Sequence, residues 1–249
     1  LGDVYKRQVE KEYDGNSYHI NFTGNTYPSD QIEYWYNGML QMGNPEFSDA
    51  GEYPVTVKVK RGNDVWQETA TVKINARKAT ITADSKEKFF GETDPEFTGN
   101  VENLVDENDL GTVTYVRSNK DEAVGVYKEV LDAKYTPNSN YEVTVTRGDF
   151  EIKTAKVEGA SLAAAGGSWP YDGEAHGAAA AVQGAEGYTI YYSVEGGEWT
   201  DQVPTVTNVA DGKKTVSVKA TREGYEDLTA DDVTICLLYT SDAADDLIG

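Results

Sequence analysis

A short pattern comes back three times along this chain. An aromatic residue and a glycine open it, at Tyr13-Asp14-Gly15, Phe89-Phe90-Gly91-Glu92-Thr93-Asp94-Pro95 and Tyr171-Asp172-Gly173. About 35 to 40 residues later a second glycine leads into a run of alternating residues. Those glycines are Gly51 in Asp49-Ala50-Gly51-Glu52-Tyr53, Gly125 in Ala123-Val124-Gly125-Val126-Tyr127 and Gly212 in Ala210-Asp211-Gly212-Lys213-Lys214. The opening glycines lie about 76 and then about 82 residues apart. That period suits a small autonomous domain and is too long for one rung of a solenoid. Repetition of one module points to length and presentation, not to a unique active site.

The strand signal is period-two alternation of β-branched and aromatic residues, bounded by turn clusters. In 53–60 it places Tyr53, Val55, Val57 and Val59 on one face, and 69–74 repeats it. The second module carries it in 78–83, 141–146 and 150–152, and the third in 189–193, 215–220 and 233–235. Turns separate these runs at Arg61-Gly62-Asn63-Asp64, Pro137-Asn138-Ser139-Asn140, Arg147-Gly148-Asp149 and Glu195-Gly196-Gly197-Glu198. Residues 103–110 have enough helix character for a turn or two, and suit a loop equally well. Short strands at this spacing predict an all-β fold of tandem small immunoglobulin-like β-sandwich modules arranged as a rod, with β-grasp-like modules as the alternative. The junctions at Asn75-Ala76-Arg77-Lys78 and Lys153-Thr154-Ala155-Lys156 lack a flexible spacer, which favours a semi-rigid arrangement. The softest stretch is 159–168, which also reads as an early strand and turn.

The two ends read differently. Cys236-Leu237-Leu238-Tyr239-Thr240-Ser241 can be written as codons TGT-CTC-TTA-TAC-ACA-TCT. The reverse complement, in a shifted frame, encodes Asp3-Val4-Tyr5-Lys6-Arg7-Gln8. That inverted string resembles the transposase end of sequencing-library adapters, whose continuation would yield Asp242-Ala243-Ala244-Asp245-Asp246. Residues 1–8 and 236–249 are therefore read as translated adapter, outside the fold and packed against nothing. On this reading the body spans 9–235 in three modules, 9–76, 77–154 and 155–235, and is a piece of a longer protein. Cys236, the chain's one cysteine, is then foreign to it.

A body without cysteine has neither a disulfide frame nor thiolate chemistry. Acidic residues number 43 against 22 basic ones, for a net charge of −21. Such a chain repels phosphates and anionic headgroups, which excludes nucleic acid and direct membrane insertion as partners.

The second module, 79–153, resembles the MBG-type repeats of bacterial surface proteins. The residues that carry the resemblance are Ala79-Thr80-Ile81-Thr82-Ala83-Asp84, Lys88-Phe89-Phe90-Gly91-Glu92-Thr93-Asp94-Pro95, Asn103-Leu104-Val105-Asp106-Glu107-Asn108-Asp109-Leu110, Val124-Gly125-Val126-Tyr127 and Asn138-Ser139-Asn140-Tyr141. Phe90 stands where such repeats usually have Tyr. The first and third modules are similar to related bacterial immunoglobulin-like repeats, more loosely. The resemblance implies an extracellular stalk at the cell surface or cell wall, set between a ligand-binding head and an anchor, and it supplies no ligand.

Chemistry is sparse. His19 and His176 each follow a Tyr-Asp-Gly turn by a few residues, which suggests a shared structural role, since no second nitrogen or sulfur ligand accompanies either. No Gly-x-Ser-x-Gly elbow is present, and with this many acids some carboxylate pair falls at a glycosidase spacing by chance. No cofactor motif occurs. Asp106, Glu107, Asn108 and Asp109 form the best cluster of hard oxygen ligands for calcium, without the frame of an EF-hand. Two aromatic groups, Tyr34, Trp35 and Tyr36, and Tyr188, Tyr191 and Tyr192, are candidate carbohydrate platforms. Alternation puts Trp35 on the face opposite Tyr34 and Tyr36, so at least one face belongs to a core. The Tyr-Asp-Gly element reads as fold chemistry: Gly for a positive φ, Asp to bond its own turn, Tyr to pack.

The sequence thus predicts a non-catalytic stalk segment of a bacterial adhesin whose partners are neighbouring repeats of the same chain. The alternatives are a module that itself binds a glycan or a host surface protein, and accessory repeats of a large secreted enzyme.

Overall fold

A computed structural model describes residues 5–23 and 26–239. The chain divides into two compact units. One comprises Leu1–Lys86, Pro95–Lys120 and Tyr127–Phe150, the other Glu87–Asp94, Asp121–Val126 and Glu151–Gly249. The described residues are all-β apart from one 3-10 turn at Val209–Asp211. A β-grasp needs a helix laid across its sheet, and the described residues hold no α-helix.

In the first unit a five-stranded sheet has the spatial order Val9–Glu12, Asp64–Asn75, Gly51–Arg61, Gln31–Tyr36, Met39–Gln41. Val9–Glu12 runs parallel to Asp64–Asn75, and the other pairs are antiparallel. Alternation buries one face as expected: Val55, Val57 and Val59 pack against Ala70, Val72, Ile74 and Ile20, with Tyr34, Tyr36 and Tyr53 at the margin. The hairpin at Asn37-Gly38 has both central residues at positive φ (50° and 75°), the twist that suits a two-residue connection between right-twisted strands. Arg77–Ala83 lies between Gly99–Glu102 and Tyr141–Thr146, antiparallel to the first and parallel to the second. Its core is Ala79, Ile81, Leu110 and Tyr141.

In the second unit the sheet order is Gly167–Pro170, Val233–Leu238, Lys214–Thr221, Thr189–Val194. Gly167–Pro170 is parallel to Val233–Leu238 and the rest are antiparallel. Ser161–Ala165 pairs with Ala179–Gln183, so the 159–168 stretch holds two strands. Val206, Val216, Val218, Ala220, Ile235 and Leu237 form the core with Tyr192 and Leu162.

These two sheets share one order: an early strand beside the last strand, then an earlier strand antiparallel to the last, then one earlier still. The repeat seen in the sequence is therefore also a repeat of topology.

Residues 103–110 form turns and no helix. Asn103 adopts φ 67°, and Asp106 and Asp109 accept hydrogen bonds from nearby backbone N–H groups, which offers that backbone an alternative to helical pairing. The ends depart from expectation as well. Tyr5–Arg7 pairs with Asn21–Thr23. Val233–Leu238 runs through the 235/236 boundary, with Ser168 opposite Cys236 and Trp169 opposite Leu237. Leu237 is 5% exposed and belongs to the core. The reason is periodicity: Val233, Ile235 and Leu237 continue one apolar row, and packing responds to side chains whatever encoded them. Residues 1–4 and 240–249 lie outside the described residues.

Candidate functional site

The three openers do the same thing with their backbones. Gly15, Gly91 and Gly173 sit at φ 78°, 82° and 82°, conformations an L-side chain rarely adopts. The aromatic residue of each opener, two places before Gly15 and Gly173 and one before Gly91, donates its N–H to the end of its segment's last strand. Tyr13 N bonds Asn75 O at 2.9 Å, Phe90 N bonds Lys153 O at 2.8 Å, and Tyr171 N bonds Leu238 O at 2.9 Å. Each opener thus ties the front of a segment to its exit.

In the two Tyr-Asp-Gly openers the aspartate closes its own turn. Asp14 accepts from Asn16 N at 3.0 Å and Asp172 from Glu174 N at 3.0 Å. A second donor four residues on completes each carboxylate: the Tyr18 hydroxyl on Asp14 at 2.6 Å, and the His176 ring on Asp172 at 3.0 Å. The Tyr18 bond and the Asn16 bonds hold the Asp14 carboxyl below its ordinary range; for Asp172 the Glu174 N–H leads and His176 follows. The counterpart of His176 is therefore Tyr18, and not His19, which is exposed and 3.9 Å from Glu46. Gly51 and Gly125 begin the strands Gly51–Arg61 and Gly125–Lys134, while Gly212 lies two residues ahead of Lys214–Thr221 at φ 70°.

Where the chain leaves one segment and enters the next, the opener meets the newcomer. In the first unit the Tyr13 ring stands edge-on to Tyr141, centroids 5.4 Å apart and planes at 77°. In the second unit Phe90 meets Tyr225 in the same way, at 5.6 Å and 75°. Both pairs have the edge-to-face geometry that aromatic quadrupoles favour. Backbone bonding repeats as well. Two residues beyond Asn75, Arg77 pairs in parallel with Tyr141 and donates its N–H to Asn140 O. Two residues beyond Lys153, Ala155 pairs in parallel with Tyr225 and donates to Gly224 O at 2.9 Å. Gly224, at φ 80°, leaves room for the Phe90 ring; a Cβ there would stand 2.3 Å from it.

The first joint carries polar bonds in addition. The buried Asn140 donates Nδ2–H to Asp49 Oδ1 at 2.9 Å and accepts from Ala50 N at 2.6 Å. Arg77 donates to Asn103 O and reaches Glu12 at 3.4 Å. The Tyr141 hydroxyl donates to Asp109 Oδ2 and accepts from Val105 N at 2.8 Å. Burial first, and the Asp109 bond second, push Tyr141 up to about 12.

Of the calcium candidates, Asp106 and Asp109 act as hydrogen-bond acceptors, and Asp109 is the one that bonds Tyr141 at the joint. Asp106 Oδ1 accepts from Asn108 N and Nδ2, and Asp109 Oδ2 accepts from Asp106 N and Tyr141. Glu107 and Asn108 are exposed. No group of His, Cys, Asp or Glu among the described residues is arranged to hold a metal ion. The aromatic groups split as alternation requires. Tyr34 and Tyr36 line the core, and Trp35 lies on the other face with Lys58 4.2 Å over its ring. Tyr192 is buried and Tyr188 packs on the same core; Tyr191 is half-buried.

Sequence reasoning missed Lys88. Its side chain is 4% exposed and its Nζ lies 2.8 Å from Asp94 and in contact with Glu122. Burial pulls the amine down, but the bonds to both carboxylates outweigh it and hold it above its ordinary value. The run Lys86-Glu87-Lys88 gave no signal, since a row of charges reads as an exposed strand edge.

Residues 79–151 match the MBG domain of the YGX type. The aromatic-Gly pair of that segment is Phe90-Gly91, the pair that meets Tyr225. No curated protein matches the chain in sequence. Among solved structures it is similar to Sidekick-1 immunoglobulin domains 1–5 (12% identity, 93% of this chain, TM-score 0.24), of which it spans 57%. It is also similar to Drosophila N-cadherin EC1–3 (9% identity, 94% of this chain and 99% of that one, TM-score 0.31). A third is the titin I-band fragment I67–I69 (8% identity, 95% and 97%, TM-score 0.30). Overlays this loose carry no argument about the present chain. None of its described helices is long and apolar enough to cross a membrane.

Proposed function

We propose that this chain is a non-catalytic spacer segment of a bacterial cell-surface or secreted adhesin, working outside the cell as a stalk for a distal head. The observation that carries the reading is the joint built twice to one plan, with an edge-on aromatic pair and a parallel backbone bridge at each. A spacer must pass load from one repeat to the next, and such joints couple neighbours through ordered backbone instead of a loose tether. The MBG match of 79–151 supports the surface setting. The surplus of acidic residues suits a chain that has to stay soluble and unaggregated in the open.

Small-angle scattering tests the reading. The expected result is a maximum dimension well beyond that of a compact globule of equal mass. A globular profile would overturn the proposal, because a collapsed chain projects nothing. Glycan-array binding by the same chain, lost on Trp35→Ala, would move the function to a binding module.

A further inference from the structure

Lys88 is a buried amine held against two carboxylates, and the middle opener builds its place. The turn between Lys88 and Asp94 is fixed at three points. Gly91 adopts φ 82°, Glu92 N donates to Phe89 O at 3.1 Å, and Phe89 N donates to the Glu92 carboxylate at 2.9 Å. That turn sets Lys88 Nζ 2.8 Å from Asp94 Oδ1, and Glu122 Oε2 touches the same nitrogen. All three residues belong to the second compact unit. The lysine side chain is 4% exposed, that of Asp94 33% and that of Glu122 58%. A nucleophile is thus kept nearly dry against one acid, while a second acid touches it and reaches water.

We propose that Lys88 and Asp94 condense in the folded chain to an amide cross-link between their side chains, with Glu122 moving the protons. The ammonium gives a proton to Glu122, and the freed lone pair attacks Asp94 Cγ, one bond beyond the oxygen 2.8 Å away. The N–C bond forms and a C–O bond of the carboxyl breaks. Glu122 passes on both protons that the nitrogen sheds, so the oxygen leaves as water. One ammonium and one carboxylate become one amide and one water, and Glu122 ends in the charge state in which it began. Asp94 is the acceptor because it is the less exposed acid, where a neutral amide replaces a buried charge; Glu122, the more exposed, exchanges protons with solvent. In water such a condensation is opposed by excess water and by hydration of both ions. Here contact supplies an effective molarity of about 10⁵–10⁸ M, and the amide removes charges that burial penalises. The ring so closed contains Phe90 and fixes the opener that meets Tyr225. The event occurs once, on the chain itself, and it does not depend on the stalk reading.

Intact-mass spectrometry of the full chain, folded and incubated at neutral pH, tests the proposal. The expected mass is one water below that of the sequence, and the loss survives denaturation. Trypsin should then fail to cut after Lys88 and release 87–117 as one peptide, with no backbone fragments between 88 and 94. Lys88→Arg and Asp94→Ala should restore the full mass. Glu122→Gln, which keeps the shape of the side chain and loses its basicity, should fold and also stay at the full mass. A folded wild-type chain at full mass would overturn the proposal and leave Lys88 in a permanent ion triad. So would a water loss that persists in Lys88→Arg, as closure of an aspartate on its own backbone would give. A peptide 87–117 joined to 121–128 would overturn the roles given to Asp94 and Glu122. The wild-type mass decides by itself, so a variant that fails to fold leaves the test intact.

Discussion

Asn140→Ala is the sharpest probe of the first joint. The amide makes two side-chain bonds across it, one to the Asp49 carboxylate and one from the Ala50 N–H. A bond to a charged acceptor contributes about 1.5–3 kcal/mol and a neutral one about 1. Asp49 is exposed, so water replaces much of the first when it is lost. The sum comes to roughly 2 kcal/mol, half of it the Ala50 N–H left without its partner. With a urea slope of about 1–3 kcal/mol/M, the midpoint should fall by about 1 M. The fall should be confined to the transition that reports the joint, so that unfolding of 9–76 separates from that of 77–154. Asn140→Asp sharpens the test. It keeps an acceptor for Ala50 and sets a carboxylate against Asp49, so it should be the worse variant at neutral pH and recover as both acids protonate. A loss below about 0.5 kcal/mol for the alanine, the scale of an ordinary surface change, would refute the claim that this amide couples the two segments.

Gly224→Ala should destabilise the second joint by more than about 2 kcal/mol, from a side chain forced into positive φ and a Cβ driven onto the Phe90 ring, and Phe90→Leu should relieve part of it in a denaturation series. Tyr141, held at about 12 by burial and Asp109, titrates near 10 when unfolded. Its stabilising contribution, at most about 3 kcal/mol, is complete below pH 10 and lost as pH rises toward 12; Tyr141→Phe should flatten that part of the stability profile. Deleting 236–249 should lower the melting temperature, because Leu237 fills the core and its removal has the cost of a buried leucine, about 2–5 kcal/mol. An unchanged melting temperature would put these residues outside the fold.

The strands were legible because each obeys a local rule. Val55, Val57 and Val59 must share a face once the backbone is extended, and the glycines at 15, 91 and 173 declare left-handed turns by themselves. The repeat, its period and the closing role of Asp14 and Asp172 followed from the same local logic. What it could not show is which residues of one segment face another. Tyr13 and Tyr141 are far apart in sequence, and nothing in either neighbourhood names the other; the pairing exists because the last strand of one segment delivers Arg77 beside the turn of the next. His19 was misaligned with His176 for a related reason. Distance from a motif is one-dimensional, whereas the Asp14 carboxylate selects its donor by reach, and Tyr18 is the side chain that reaches it. Lys88 needed the fold most of all, since the approach of Asp94 and Glu122 helps make burial of its charge tolerable. The sequence by itself determined the strands, the turns and the number of times they recur. Tertiary structure decided the joints, because a joint is a meeting of surfaces whose partners become neighbours only after each segment has folded.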